Sequence, residues 1–117
     1  MGKFRELKVW QKAKDLAVHI YKLTADGYFK KDLGLMDQIR RAAVSMPSNI
    51  AEGDELGTDK QSIRHFYIAK GSAAEVLTQS IIAHDIGYIS VGQFEYIEKE
   101  CQSITGMLTR LIQSRSN

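Results

Sequence analysis

Residues 90–111 read SVGQFEYIEKECQSITGMLTRL, and this stretch decides the fold class. Its apolar side chains recur every three or four residues, which places them on one face of an α-helix. Ser90 and Gln93 have the spacing of a helix capping box, and Thr58 and Gln61 repeat that spacing further upstream. The apolar stripe consists of Phe94, Ile97, Cys101, Ile104, Leu108 and Leu111. The stretch is therefore predicted to be a long amphipathic helix.

Three earlier segments have the same helical periodicity. The first is predicted to run from about Glu6 to Asp26 and to stop at Gly27, and the second to begin near residues 33–35. The third is predicted to follow Thr58 and to end at Gly87. Their apolar stripes comprise Val9, Ala13, Leu16, Ile20 and Leu23; Leu35, Ile39, Ala42, Met46 and Ile50; and Ile63, Phe66, Tyr67, Ala73, Ala74, Leu77 and Ile81. Four amphipathic helices with short connections pack as an antiparallel up-and-down bundle. We therefore predict one all-α domain, a four-helix bundle, over residues 1–117.

Pro47 lies inside the predicted second helix, where it removes one backbone hydrogen bond and is expected to kink the helix. Ser45, Ser48 and Asn49 surround it. Small polar side chains at such a position satisfy backbone groups, and Asn49 is predicted to bridge to a neighbouring helix. A nucleophilic serine would require a positioned histidine base and an oxyanion hole, and the spacing of the chain indicates neither. We therefore predict a structural role for this polar patch.

The composition is that of an ordinary globular domain with a mild basic excess. Of the 117 residues, 44% are apolar and 26% are charged, and the net charge is +2. The charge is unevenly distributed, because residues 1–31 carry eight basic and three acidic side chains, or +5, which leaves −3 for the remainder. The N-terminal part is therefore the most basic part of the chain.

Metal, cofactor and catalytic chemistry find little support in the sequence. A di-iron bundle needs Glu-x-x-His on two helices, and the chain contains no such motif. His19, His65 and His84 fall on different predicted helices, so we expect ordinary histidines rather than metal ligands. The single cysteine, Cys101, lies on an apolar stripe and is predicted to fill the core. We therefore predict no enzymatic activity, no metal and no cofactor.

The sequence also indicates the cellular compartment in which the protein is expected to occur. No signal-peptide pattern opens the chain, and no run of about 18 apolar residues occurs that would span a membrane. A lone cysteine has no partner for an internal disulfide, as is typical of a reducing compartment. We therefore expect a cytoplasmic protein that does not associate with a membrane.

Basic side chains provide the remaining candidate site. Six of them occur in pairs, which are Lys8 with Lys12, Lys60 with Arg64, and Arg40 with Arg41. Such clusters bind phosphates by releasing counterions from a nucleic-acid backbone, although the same pattern also occurs on solvated helix surfaces. Assembly into a ring would repeat each pair around an axis and strengthen its field.

Three segments carry a resemblance to a known family. They are residues 4–13 (FRELKVWQKA), 38–53 (QIRRAAVSMPSNIAEG) and 66–75 (FYIAKGSAAE). Together with the order of the helices, they resemble the bacterial four-helix-bundle family named for proteins encoded in 23S rRNA intervening sequences. That family includes relatives of the accessory variability protein of diversity-generating retroelements. The resemblance spans nearly the whole chain, and the middle segment is its most specific part.

The resemblance implies a four-helix protomer assembled into a cyclic homopentamer, a tapered barrel with an axial channel. The retroelement relatives bind nucleic acid through basic surfaces and partner with a reverse transcriptase, whereas most members have no established biochemical activity. Positions that are typically basic in the family are occupied here by Arg5, Arg40, Arg41, Lys60 and Arg64. The loop before the third helix departs from the pattern, because residues 54–57 read DELG where basic residues are common.

Two hypotheses for the function follow. In the first, the chain is a non-enzymatic homo-oligomeric module that binds RNA or DNA electrostatically. In the second, it is a structural or adaptor protein that binds another protein and has no nucleic-acid role. Arg40 and Arg41 would then pair with acidic side chains within or between subunits, namely Glu52, Asp54, Glu55 or Glu75. The candidate nucleic-acid or interface contacts are Arg5, Lys8, Lys12, Arg40, Arg41, Lys60 and Arg64. Trp10, on the flank of an apolar stripe, fits either the core or a subunit interface, and we expect it to lie in the core.

Overall fold

Four long helices make up most of the protein. The computed structural model describes residues 3–116, a range that contains no β-strand and no helix with the length and hydropathy needed to cross a bilayer. The helices are α1 (Lys8–Thr24), α2 (Leu33–Glu55), α3 (Asp59–Asp85) and α4 (Val91–Arg115), with short 3-10 helices at Phe4–Glu6 and Gly27–Lys31. Each long helix contacts the next, α4 contacts α1, and the bundle measures 45 × 20 × 20 Å. The predicted all-α four-helix architecture is confirmed.

Two glycines mark the ends of helices as the sequence predicts. α1 ends at Thr24, shortly before Gly27, which has a φ of +67°. α3 ends before Gly87, which has a φ of +82°, and the Tyr88 N–H donates back to the Ala83 carbonyl at 2.8 Å. Glycine adopts positive φ without the steric cost that other residues incur, so both turns depend on it.

The two predicted capping boxes differ in completeness. At Ser90, the hydroxyl accepts from the Gln93 N–H at 3.1 Å, and the Gln93 side-chain oxygen accepts from the Ser90 N–H at 2.8 Å. At Thr58, the hydroxyl accepts from the Gln61 N–H at 3.3 Å and donates to the Gln61 side-chain oxygen at 3.2 Å. α4 therefore begins with the complete box, and α3 begins with half of one.

The core follows the predicted stripes on α1, α2 and α4 but not the whole stripe on α3. α3 buries Ser62, Phe66, Ala69, Ser72, Ala73, Val76, Ser80 and Ala83. Tyr67 and Ile81 are instead 56% and 41% exposed, and Ala74 is also exposed. The prediction for these three positions is wrong, because α3 has apolar side chains on two sides and periodicity alone does not choose the buried one.

α2 and α3 pack closely at Gly53. A Cβ atom at this position would lie 2.6 Å from the Phe66 ring, and the Ser62 hydroxyl donates to the Gly53 carbonyl at 2.6 Å. α2 continues past this glycine to Glu55. Gly53 therefore serves the approach of two helices rather than the end of one.

The acidic segment after Gly53 belongs to α2 and not to the loop that the sequence suggested. Asp54 accepts from Arg115 of α4 at 3.4 Å, and its side chain is only 11% exposed. The Arg115 guanidinium also lies 5.1 Å from the centre of the Phe66 ring. Asp54 therefore fastens α2 to α4, and its charge is balanced within the bundle.

The polar patch around Pro47 joins α2 to α3. The Asn49 amide donates to the Ser45 carbonyl at 2.9 Å, and its oxygen lies 3.0 Å from His65 Nδ1 on α3. The Ser72 hydroxyl on α3 donates to the Ser45 hydroxyl at 2.8 Å. The predicted bridge from Asn49 is confirmed. The histidine contacts an amide rather than a serine hydroxyl, which favours the structural interpretation of the patch.

Candidate nucleic-acid interface

Arg40 is bound to the C-terminal end of α1. Its Nε donates to the Thr24 hydroxyl at 2.8 Å, and its Nη2 donates to the Tyr21 carbonyl at 3.2 Å. The guanidinium lies 4.6 Å from the centre of the Tyr21 ring. A cation at this position satisfies helix-terminal carbonyls and interacts favourably with the helix dipole. Two of the five N–H donors of Arg40 are thus used to hold α1, and its charged face lies over the Tyr21 ring.

Arg41 points away from its neighbour, because successive residues on a helix differ by about 100° in direction. Its side chain is 79% exposed, and it pairs with Asp37 one turn earlier at 2.9 Å. Arg41 also lines a polar cleft of about 220 Å³ together with Glu75 and Gln79. The acidic partners that the adaptor hypothesis assigned to these arginines do not pair with them within residues 3–116.

Lys12 is partly neutralised by α4. Its Nζ lies 3.4 Å from a Glu100 carboxylate oxygen, and the two side chains are 34% and 16% exposed. Such a half-exposed ion pair holds α1 against α4 with a modest energy. Lys12 therefore presents less positive charge to solvent than its predicted partner Lys8, which is exposed.

Four of the predicted contacts remain exposed and take part in no ion pair within the part of the chain that the structure describes. They are Arg5, Lys8, Lys60 and Arg64. α1 and α3 both begin at the same end of the bundle, since neighbouring helices run in opposite directions. α1 and α3 lie at diagonal corners of the bundle and do not contact each other. The exposed cations therefore form two groups, Arg5 and Lys8 at the start of α1, and Lys60 and Arg64 at the start of α3.

Arg110 joins Lys8 in the first group. The two cations flank a cleft of about 320 Å³ between the start of α1 and the last turns of α4. The cleft is lined by Leu7, Lys8, Val9, Met107, Arg110 and Leu111, and we call it the Lys8–Arg110 cleft. Arg110 was not among the predicted contacts because it has no basic neighbour one turn away in the chain. The antiparallel topology was the available indication, since it returns the end of α4 to the start of α1.

Arg64 lines a second cleft, of about 370 Å³, with Leu56, Gln61, His65 and Ile68. His65 Nδ1 lies 3.5 Å from a Glu52 carboxylate oxygen. This nearby negative charge makes the Arg64 cleft less favourable for an anion than the Lys8–Arg110 cleft, whose lining contains no carboxylate.

Burial alters the pKa values of one cysteine and one histidine in the bundle. Burial, assisted by Glu100, raises the pKa of Cys101 to about 12, and the thiol is buried, which confirms the prediction that it fills the core. Burial lowers the pKa of His19, which packs 4.6 Å from the Tyr96 ring. No group of three potential metal ligands lies together within residues 3–116.

Comparison with known proteins agrees with the resemblance found in the sequence. A crystal structure of a protein of unknown function from the S23 ribosomal protein family of Bacteroides thetaiotaomicron superposes with a TM-score of 0.81 at 26% identity. The alignment covers 89% of this chain and 97% of that one. No curated protein is similar enough to count as a relative. The family model for 23S rRNA-intervening sequence proteins matches residues 5–110, so this chain belongs to the 23S rRNA-intervening sequence protein family.

Proposed function

We propose that the protein is a non-enzymatic homo-oligomer that binds RNA or DNA electrostatically through the end of the bundle at which α1 begins. The observation that carries this proposal is an excess of exposed cations at that end. They are Lys3, Arg5, Lys8, Lys60, Arg64 and Arg110, and the exposed carboxylates there are Glu6, Glu52, Glu55 and Asp59. Exposed cations bind phosphates by releasing counterions, without requiring a particular base sequence.

Self-association is supported by the outward face of α3. Tyr67, Ile68, Ile81 and Ile82 are between 41% and 56% exposed along this single helix. Gly71 lies between them, and a Cβ atom there would meet nothing within 4 Å. A glycine inside a helix costs about 1 kcal/mol relative to alanine, and packing within the described protomer does not require it. A second copy of the chain packed against this face accounts for both features.

A cyclic homopentamer is the assembly that the family resemblance implies. A ring would bring the basic ends of all protomers to the same side, where their electrostatic fields add. The field at that side would then be stronger than the net charge of +2 per chain suggests. The proposed location is the cytoplasm, where nucleic acid is accessible.

Light scattering at two salt concentrations, with and without a short single-stranded RNA, tests the proposal. We expect the mass of the free protein to be a multiple of 13.2 kDa, and we expect it to increase with RNA only at low salt. A monomer would contradict the assembly. RNA binding that ignores ionic strength would contradict the electrostatic mechanism.

The α3 face also favours a second candidate, an adaptor that binds another protein. Ile82→Glu and Val18→Glu introduce the same charge at positions of similar exposure, 46% and 45%, on α3 and α1. If α3 forms the subunit interface, Ile82→Glu lowers the mass and Val18→Glu does not. An unchanged mass in Ile82→Glu leaves the α3 face available to another protein and supports the adaptor.

A further inference from the structure

The Lys8–Arg110 cleft combines an apolar floor with two cations on different helices. Leu7, Val9, Met107 and Leu111 contribute the floor, and Val9 is 5% exposed while the other three are partly buried. Lys8 lies at the start of α1, and Arg110 lies near the end of α4. Such a surface suits a ligand with negative charges on either side of a flat apolar group.

The charges at this cleft are not compensated within the described residues. Lys8 and Arg110 take part in no ion pair between residues 3 and 116. The clefts beside Arg41 and Arg64 differ, because Glu75 lines the first and Glu52 lies close to His65 in the second. Charge complementarity therefore favours an anion at the Lys8–Arg110 cleft more than at the other two.

The shape of the cleft is open rather than enclosed. A fatty acyl chain gains most of its binding energy when a pocket buries it on all sides. A nucleic-acid chain instead needs an open surface, because the chain continues on both sides of the nucleotide that is bound. The volume of about 320 Å³ is at the lower end of ordinary ligand pockets, which is enough for one flat ring and its attached groups.

We propose that the Lys8–Arg110 cleft binds one unpaired nucleotide of a single-stranded nucleic acid, with its base against Met107 and Leu111 and its phosphates on Lys8 and Arg110. This inference rests on the proposed function and specifies its substrate class. A polarisable thioether packs well against a planar ring, and the planar guanidinium of Arg110 both stacks on bases and binds phosphate with two donors. Bases in a duplex are already stacked, so a duplex offers the cleft phosphates only.

A third exposed cation, Arg5, lies three residues before Lys8 and is available to a neighbouring phosphate of the bound nucleic acid. Arg5 lies in the 3-10 helix just before α1, and its carbonyl accepts from the Gln11 side chain at 2.9 Å, which ties this turn to α1. Lys12, one helical turn after Lys8, is instead paired with Glu100 at 3.4 Å. The basic track therefore runs from Lys8 towards Arg5 rather than along α1.

Fluorescence anisotropy with a short RNA, single-stranded or annealed to its complement, tests the inference at fixed salt. The ratio of the two affinities is the decisive quantity, because it cancels the general attraction to phosphate. We expect the native protein to favour the single strand. Met107→Gln keeps the size and charge of the side chain but makes the floor polar, and it should weaken single-strand binding by about fivefold or more while leaving duplex binding unchanged. Met107→Leu should keep the preference.

The matched control removes two positive charges at one or the other of two diagonal corners, both at the end of the bundle where α1 and α3 begin. Lys8→Gln with Arg110→Gln should remove the single-strand preference, whereas Lys60→Gln with Arg64→Gln removes the same charge and should weaken both RNAs equally. Equal binding of both RNAs by the native protein, or an unchanged ratio in Met107→Gln, would overturn the inference and leave the proposed function intact. Absence of any RNA binding would overturn both.

Discussion

The two ends of the bundle use basic side chains in opposite ways. At the end where α1 leads into α2, Arg40 donates to the Thr24 hydroxyl at 2.8 Å and is held by α1. At the opposite end, Lys8 and Arg110 flank an apolar cleft and are exposed. The comparison shows that the acceptors within reach of a cation decide whether it stabilises the fold or is available to a ligand.

The Arg40 end is also closed by side chains from the connecting segments. The Tyr88 hydroxyl donates to Asp32 at 2.8 Å, and the Tyr88 ring lies 5.7 Å from Tyr28 and 5.3 Å from buried Phe29. These contacts join the α1–α2 connection to the α3–α4 connection. The Arg40 end is therefore expected to contribute to stability, and the Lys8 end to binding.

The largest expected effect is on stability at the Arg40 end. Arg40→Ala should lower the free energy of unfolding by about 2–3 kcal/mol, because it removes charge-assisted bonds and leaves the Tyr21 carbonyl without this donor. Arg41→Ala, the neighbouring position, should change it by no more than about 0.5 kcal/mol. Urea unfolding of the two variants measures the difference. Equal losses would show that Arg40 does not hold α1.

A pH effect is expected from His19, which faces Tyr96 of α4 and whose Nε2 is buried without a partner among the described residues. Burial lowers the pKa of His19 below its usual 6.5, so the unfolded chain takes up the proton first as the pH falls. Stability should therefore be full above pH 6.5 and decline below it. Urea midpoints at about pH 7.5 and about pH 5.5 measure the decline, and His19→Gln should reduce it. The same decline in the variant would refute this assignment.

A second pH effect is expected at Asp32. The Leu35 N–H and the Tyr88 hydroxyl donate to this carboxylate and lower its pKa below the usual 3.8. The stability that the charged form contributes is present above that value and lost as the pH falls through the lower folded pKa. Tyr88→Phe should therefore move acid unfolding, followed by circular dichroism, to higher pH. An unchanged midpoint would mean that the Leu35 N–H alone sets this pKa.

The smallest expected effect on stability belongs to the Lys8 end. Lys8→Gln should change the free energy of unfolding by less than about 0.5 kcal/mol, since its side chain is exposed and takes part in no ion pair within residues 3–116. It should nevertheless reduce the salt dependence of single-stranded RNA binding by about 0.7 in the log–log slope, which is the loss of one phosphate contact. A large loss of stability would contradict the contrast between the two ends.

Local chemistry made several features predictable from the sequence. The apolar periodicity of α1, α2 and α4, the capping residue Ser90 and the terminating glycines Gly27 and Gly87 act within a few residues of chain. Asn49 was predictable as a bridge because a polar side chain beside Pro47 has both a donor and an acceptor, and here the donor bonds within α2 while the oxygen reaches α3. The family was predictable because short segments of the chain carry its motifs.

The remaining features depend on how distant segments meet, which periodicity does not encode. α3 is apolar on two sides, so only its packing against α2 and α4 decided that Phe66 is buried and Tyr67 is exposed. Arg40 and Arg41 are adjacent in the chain, yet only the position of α1 separated their roles. The sequence by itself determined four helices and their ends, because those depend on local hydrogen bonds. The tertiary structure decided which cations remain available, because a charge is neutralised by whichever groups the fold brings within a few ångströms.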